Sequence, residues 1–209
     1  MYSADGQPTG VAKARAAIHR DGDWHRAFFC WIVRRGTDDG GALEVLLQKR
    51  AATKDVWPGR FDASAAGHVR FGETTAEAAR EIDEELGLHV DVTDLEPLAG
   101  HRQEHVHENG LIDRELHDVH LFRCELPLEA YRPGPEVAGI SSVALDDLLE
   151  VVAGARVSIE TTLLTFDASA HVSYATILLT ARDLVPYDAA YWRGIRAAAY
   201  SGRASMARR

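Results

Sequence analysis

Residues 67–88, GHVRFGETTAEAAREIDEELGL, constrain this chain more than any other stretch. Thr74 and Glu77 have the spacing of a capping box, in which the threonine side chain and the glutamate side chain satisfy each other's backbone N–H groups at a helix start. Gly87 stands where helices commonly end in left-handed backbone. Together they predict a helix over 75–86. On it Glu81, Glu84 and Glu85 share one face, because positions three and four apart are neighbours, while Ala78, Ala79, Ile82 and Leu86 supply an apolar side.

Carboxylates gathered on one face repel one another, and Arg80 alone does not neutralise them. A divalent cation resolves the repulsion. Mg²⁺ takes carboxylate oxygens and commonly shares its shell with substrate phosphates, and Mn²⁺ is a second choice. The chemistry that follows is transfer of a phosphoryl group to water, with a free carboxylate as base. Read alone, REIDEE is better taken as an ordinary solvated helix, since Glu is a good helix former and charge runs are usually solvated.

The remaining sequence sets the frame. With 209 residues and 46% hydrophobic content, one globular enzyme domain with decorations is expected. A formal charge of -9 argues against a nucleic-acid polymer or an anionic membrane as partner, because both recruit clustered Lys and Arg. A small phosphorylated ligand bridged by metal remains compatible. Cys30 and Cys124 lie in apolar stretches, so core thiols are expected rather than a disulfide framework. No run has the length of a secretory signal or a membrane span, which predicts a soluble, cytoplasmic protein.

Residues 26–34 and 43–48 are rich in aromatic and branched side chains and predict an antiparallel strand pair joined by the Gly- and Asp-containing segment between them. Further strands are expected in PLAGHRQEHV, ELHDVHLFRCEL and VAGISSVAL, followed by a helix in DDLLEVVAG. The His-rich stretch 101–120 reads as a polar loop between strands, with Glu104 and Glu115 reaching the active site. From about Ile159 the chain reads as helical, in SYATILLTARDL and DAAYWRGIRAAAYSG, with Tyr191, Ile195 and Ala198 as a packing stripe and Arg193, Arg196 and Arg203 on a solvated face. The final SGRASMARR is expected to fray.

The segment Gly67, Glu73, Arg80-Glu81-Ile82-Asp83-Glu84-Glu85-Leu86-Gly87-Leu88 resembles the Nudix box, whose spacer between the first glutamate and the arginine is one residue longer. The missing residue would rotate the glutamate face by roughly 100° relative to the preceding loop unless the helix starts later, at Thr75. The family's loop-locking contact between Glu73 and Arg80 depends on that adjustment. The flanks HRDGDWHRAFFCWI, LLQKRAATKDVWPGRFDASAAGHV and LIDRELHDVHLF look like the branch related to isopentenyl diphosphate isomerase, over roughly residues 10–150.

The resemblance implies an α/β/α sandwich with a mixed sheet, organised as a Nudix domain over 1–155 and a helical C-terminal extension over 156–209 packed on it. It implies hydrolysis of a nucleoside- or isoprenoid-type diphosphate, with Glu81, Glu84, Glu85 and His68 as metal ligands and Glu81, Glu84 and Glu115 in catalytic roles. His25, His68, Asp113 and Glu115 could form a second metal site in that branch, with His19 close in sequence. Where the isomerase carries its cysteine, this chain has Ala66, which weakens the alternative of isomerisation; a diphosphate-binding module without turnover is a further alternative. Lys49, Arg50, Lys54 and Arg60 are the basic candidates for diphosphate contacts, and Trp57 is placed to cover a base or an isoprenoid chain, or else to anchor a loop. A homodimer is admissible.

Overall fold

The apolar run at 26–34 becomes the central strand because both of its faces are hydrophobic: Phe29, Trp31 and Val33 alternate with Phe28, Cys30 and Ile32, and all are buried. The computed structural model describes residues 1–36, 41–167 and 169–201. β1 (His25–Arg35) pairs antiparallel with β2 (Leu43–Arg50), in register Val33 with Val45, as expected; residues 37–40 of the connecting segment lie outside the described residues. Two short strands follow, β3 (Phe61–Asp62) on β2 and β4 (Ala65–His68) on β1. β7 (Ile112–Arg123) runs parallel to β1, and the other strand pairs are antiparallel, so the sheet is mixed.

Helices cover both faces. α2 (Thr75–Ala78) and α3 (Arg80–Leu86) press Ala78, Ile82 and Leu86 onto Phe28, Cys30 and Ile32. On the opposite face α4 (Leu145–Val152) and α5 (Ala189–Ser201) pack Leu148, Tyr191 and Trp192 onto Trp31 and Val33. The Trp31 indole donates to the Tyr191 hydroxyl at 2.8 Å, which satisfies two polar groups inside this layer. This is the α/β/α arrangement expected, with both cysteines buried as free thiols.

The C-terminal part differs from expectation. β9 (Ser158–Phe166) and β10 (Val172–Thr180) pair antiparallel, in register Thr162 with Thr176, and among the described residues only α5 is a long helix there. The reason lies in the side chains: Thr161, Thr162, Thr165, Thr176 and Ile177 are β-branched and suit a pleated surface, and β9 joins the sheet beside β8 (Val137–Ala144). Tyr191, Ile195 and Ala198 do pack into the core, while Arg203 and the terminal residues 202–209 lie outside the described residues.

The His-rich stretch is likewise ordered as a hairpin of β6 (His101–Val106) and β7, with only 107–111 as its turn. A helix that the sequence did not announce, α1 (Arg15–Asp21), precedes β1. β5 (Glu96–Pro97) completes the sheet on β7. Among the described residues no helix is long and apolar enough to cross a membrane.

The capping box is formed as predicted, and the helix begins at Thr75. It then breaks at Ala79 into α2 and α3, where Ala79 N–H bonds to Ala76 O at 3.3 Å and Ile82 N–H to Ala79 O at 3.0 Å. These bonds span three residues instead of four, and such a turn advances about 120° per residue in place of about 100°. The overwinding takes up part of the rotation that the short spacer imposes. Arg80 accordingly still reaches back to Glu73, with Nε donating to Oε1 at 2.7 Å and Nη2 to Oε2 at 3.2 Å.

At its far end α3 stops at Gly87, which has φ +63 and donates to Asp83 O. A Cβ there would sit 2.6 Å from Arg132 Cβ and 2.7 Å from Arg132 O. Gly87→Ala is therefore expected to destabilise the protein by about 1–3 kcal/mol, from left-handed backbone strain and overpacking together. Urea unfolding measures it, and a midpoint equal to wild type would contradict this account of the cap.

Candidate active site and metal centre

Glu81, Glu84 and Glu85 leave α3 toward a cavity of about 910 Å³ that also receives His25, His68, Asp113 and Glu115. Strand register assembles the second group. His25 on β1 lies opposite Glu115 on β7, and His68 on β4 lies opposite Ala27, two residues along from His25. The result is close contact between imidazole and carboxylate: His25 Nε2 to His68 Nε2 is 3.2 Å, His68 Nε2 to Glu115 Oε1 is 3.3 Å, and His25 Nε2 to Glu115 Oε1 is 3.5 Å. Asp113 Oδ1 stands 3.8 Å from both His25 Nε2 and His19 Nε2. Among the described residues, two groups have ligand atoms within 4.8 Å of one another: His19, His25 and His68, and His25, Asp113 and Glu115.

His19 enters from α1 and is fully buried, and both its ring nitrogens lack a hydrogen-bond partner among the described residues. Asp113 Oδ1 is likewise buried without a hydrogen-bond partner among the described residues. Buried polar atoms without partners are costly, and these converge on one point, so the donor set fits a divalent cation with imidazole and carboxylate ligands. His19 and Glu115 are in ligating protonation states, whereas Asp113 gives up a proton when a cation binds. Burial, then the neighbouring imidazoles, lower His19 to about 4, which leaves it neutral and able to ligate. Burial, then the Glu115 charge, push Asp113 up to about 8. Burial alone would raise Glu115, but hydrogen bonds from His117, His25 and His68 outweigh it and hold the carboxyl well below the usual range.

The box glutamates are held differently. Glu85 is 3% exposed, and its Oε2 accepts from Ala66 N–H and Gln48 Nε2, both at 2.8 Å. Its Oε1 is buried without a hydrogen-bond partner among the described residues, 3.7 Å from Lys54 Nζ. Burial raises the Glu85 carboxyl to about 7. Glu81 is bonded by Arg80 Nη1 and lies against Gly67, where a Cβ would be 2.1 Å from the Glu81 carboxyl carbon; the box glycine is the space that this carboxylate fills. Glu84 is the most exposed of the three and accepts from Arg80 Nη1 at 2.9 Å.

Of the basic candidates, Arg50 and Lys54 line the cavity and Lys49 and Arg60 do not. Lys49 Nζ lies 5.7 Å over the Phe61 ring, and Arg60 is bonded to the carbonyls of Arg182 and Leu184. Both side chains are thus engaged outside the cavity lining. Arg50 is buried against Asp62 at 2.8 Å and Val56 O, whereas Lys54 pairs with the exposed Glu136 at the cavity wall. Arg15, which sequence reasoning missed, also lines the cavity and binds Asp55 at 2.8 Å. Glu104 points away from the site, is exposed, and pairs with Arg114 at 2.8 Å, because alternation on β6 turns it outward. Trp57 lines the cavity with its ring 4.2 Å from that of His105 and 4.8 Å from that of His107, and His107 Nε2 in turn lies 3.9 Å from Asp113 Oδ2.

His19 was legible only as a neighbour of the metal group, because its distance from His25 in sequence matters only once α1 folds back on β7. Gln48 gave no signal, since LEVLLQKR reads as a plain strand.

Comparison with known proteins agrees with the geometry. The NUDIX domain model matches residues 23–161. Nudix hydrolase 3 of Arabidopsis thaliana is 42% identical over 135 residues, covering 63% of this chain and 17% of that protein. Isopentenyl-diphosphate Delta-isomerase of Salmonella heidelberg is 34% identical over 125 residues, covering 59% of this chain and 65% of the isomerase. The chain thus spans less than two thirds of either relative. The crystal structure of DR0079 from Deinococcus radiodurans has a similar fold, with a TM-score of 0.53 at 21% identity over 74% of this chain and 88% of that one. With its box, its sheet and most of its length matched, the chain belongs to the NUDIX domain family, in the part of it that resembles isopentenyl-diphosphate isomerase.

Proposed function

We propose that the protein hydrolyses a small diphosphate compound, nucleoside- or isoprenoid-type, with divalent metal at the cavity. The observation that carries this reading is the shared cavity: Glu81, Glu84 and Glu85 on one side and His25, His68, Asp113 and Glu115 on the other face the same space. Bound Mg²⁺ or Mn²⁺ would neutralise charge on the diphosphate and lower the pKa of water. His19, His25, His68, Asp113 and Glu115 would hold one ion; the box glutamates are not gathered within 4.8 Å of one another, and Glu84 and Glu85 would hold a second ion only together with the diphosphate oxygens. Lys54 and Arg15 bind the phosphates from the rim, while Arg50, fixed by Asp62, keeps that wall rigid. Glu81 accepts the proton of the attacking water, since burial raises its carboxyl and it stands outside the histidine group.

The second reading is isomerisation of an isoprenoid diphosphate, supported by the same histidine and Glu115 group. Ala66 opposes it, because a methyl group on β4 has no proton to give or take where the isomerase has its cysteine.

A panel of nucleoside and isoprenoid diphosphates with Mg²⁺ and Mn²⁺ is expected to release phosphate or a monophosphate product. Glu84→Gln together with Glu85→Gln should lower the rate by at least about 100-fold. Activity surviving in that double variant sinks the glutamate assignment, and dimethylallyl diphosphate formed from isopentenyl diphosphate without phosphate release decides for isomerisation.

Metal analysis addresses the histidine group separately. A His68→Ala, Glu115→Gln double variant is expected to lose bound metal relative to wild type; unchanged stoichiometry eliminates this site.

Glu85 gives a pH signature in the metal-free protein. Its folded pKa of about 7 lies above the ordinary value of 4.5, so the folded state binds the extra proton, and that stabilisation is lost as pH rises through 7. Glu85→Gln removes the titration while keeping the acceptor for Ala66 N–H. With chelator present, the melting temperature of Glu85→Gln relative to wild type should rise from pH 5 to pH 8. A pH-independent difference would show that burial does not govern this carboxyl.

A further inference from the structure

His117 lies two residues beyond Glu115 on β7, and alternation along a strand places both side chains on one face. It is 2% exposed, and its Nε2 is 2.9 Å from Glu115 Oε2. An ionised carboxylate only accepts, so Nε2–H is the donor; the other ring nitrogen, Nδ1, is buried without a hydrogen-bond partner among the described residues. The two oxygens of Glu115 are thereby divided. Oε2 is taken by His117, and Oε1 faces His25 and His68 at 3.5 and 3.3 Å.

The imidazole of His117 is itself fixed. It stacks on Phe29 with centroids 3.9 Å apart and planes at 23°, and Tyr187 and Tyr191 meet it edge-on at 6.2 and 6.3 Å. Those two tyrosines stack on each other at 4.5 Å and belong to the C-terminal segment, outside the residues 23–161 that match the NUDIX domain.

We propose that His117 is a positioning residue for the metal centre: it locks Glu115 so that Oε1 alone is presented to the cation, and Tyr187 and Tyr191 lock His117. The terminal torsion of a glutamate is broad and roughly two-fold, so an unanchored carboxylate would spend part of its time turned from the ligand position. One bond from a stacked imidazole removes that freedom. Outer partners of this kind commonly change metal affinity by 10–100-fold. The C-terminal segment thus reaches the metal centre through a ring stack and one hydrogen bond, without lending a ligand. This inference rests on the reading that the histidine group holds a metal.

The test measures Mn²⁺ affinity of the full chain by competition with a chelator, alongside the melting temperature without metal. His117→Phe keeps the stack on Phe29 and removes the donor; His117→Gln restores a donor near the Nε2 position; His117→Asn carries an amide too short to reach. Expected are a loss of about 10–100-fold for Phe and Asn and recovery to within about threefold for Gln. If the Phe variant fails to fold, the Gln and Asn pair decides alone. Wild-type affinity in Phe or Asn, or equal losses in Gln and Asn, overturns the positioning role. Wild-type protein that takes up no Mn²⁺, or undiminished uptake in the His68→Ala, Glu115→Gln variant, overturns the metal reading itself and is told apart by that result.

Discussion

The parallel pairing of β1 with β7 is the constraint on which the cavity depends. Its register sets His25 opposite Glu115, and the antiparallel pairing of β4 on the same strand sets His68 beside them. Side-chain direction has a period of two along a strand, so a slip of one residue in either ladder would turn these groups into the opposite layer. What prevents the slip is the burial of β1 on both faces, with Phe29, Trp31 and Val33 committed to one helical layer and Phe28, Cys30 and Ile32 to the other. The hydrophobic core and the polar centre are thus specified by the same strand.

That centre is electrostatically unbalanced by its own residues. Asp113 and Glu85 are both driven toward the protonated form by burial, while Glu115 stays ionised because three imidazoles surround it. Buried carboxyls with raised pKa and unpartnered oxygens store a free-energy cost that a cation relieves, and such clusters concentrate at functional sites. The cost is tolerated because the surrounding sheet and helices fix the geometry.

The glutamate helix shows how a change in spacing can be absorbed locally. With a short spacer, a regular helix would carry its acidic face away from the loop, yet the break at Ala79 and the tightened turns around it return Arg80 to Glu73. Gly67 completes the fit by leaving room for the Glu81 carboxylate against β4. Helix, loop and strand are adjusted to one another at side-chain precision.

Much of this was legible in the sequence, and for identifiable reasons. The capping box, the terminal glycine, the glutamate face and the strands around 26–34 and 43–48 are short-range patterns whose physics is contained in a dozen residues. The segment 158–180 was misleading because its clustered apolar residues satisfy helical and strand periods alike, and the pairing of β9 with β10 and β8 decided between them. Glu104 and Glu115 look equivalent along the chain, but alternation on paired strands turns one to solvent and the other into the cavity. The roles of Arg50, Lys49 and Arg60 were likewise hidden, since a basic side chain supports the cavity wall or is engaged outside it only through its partners Asp62, Phe61 and Leu184. The sequence by itself determined the glutamate helix with its caps and the chemistry of its acidic face, because those are local. Which histidines converge, which carboxylate oxygen faces them and how the C-terminal tyrosines brace that arrangement were decided only by the tertiary structure, because strand register joins residues that the chain keeps far apart.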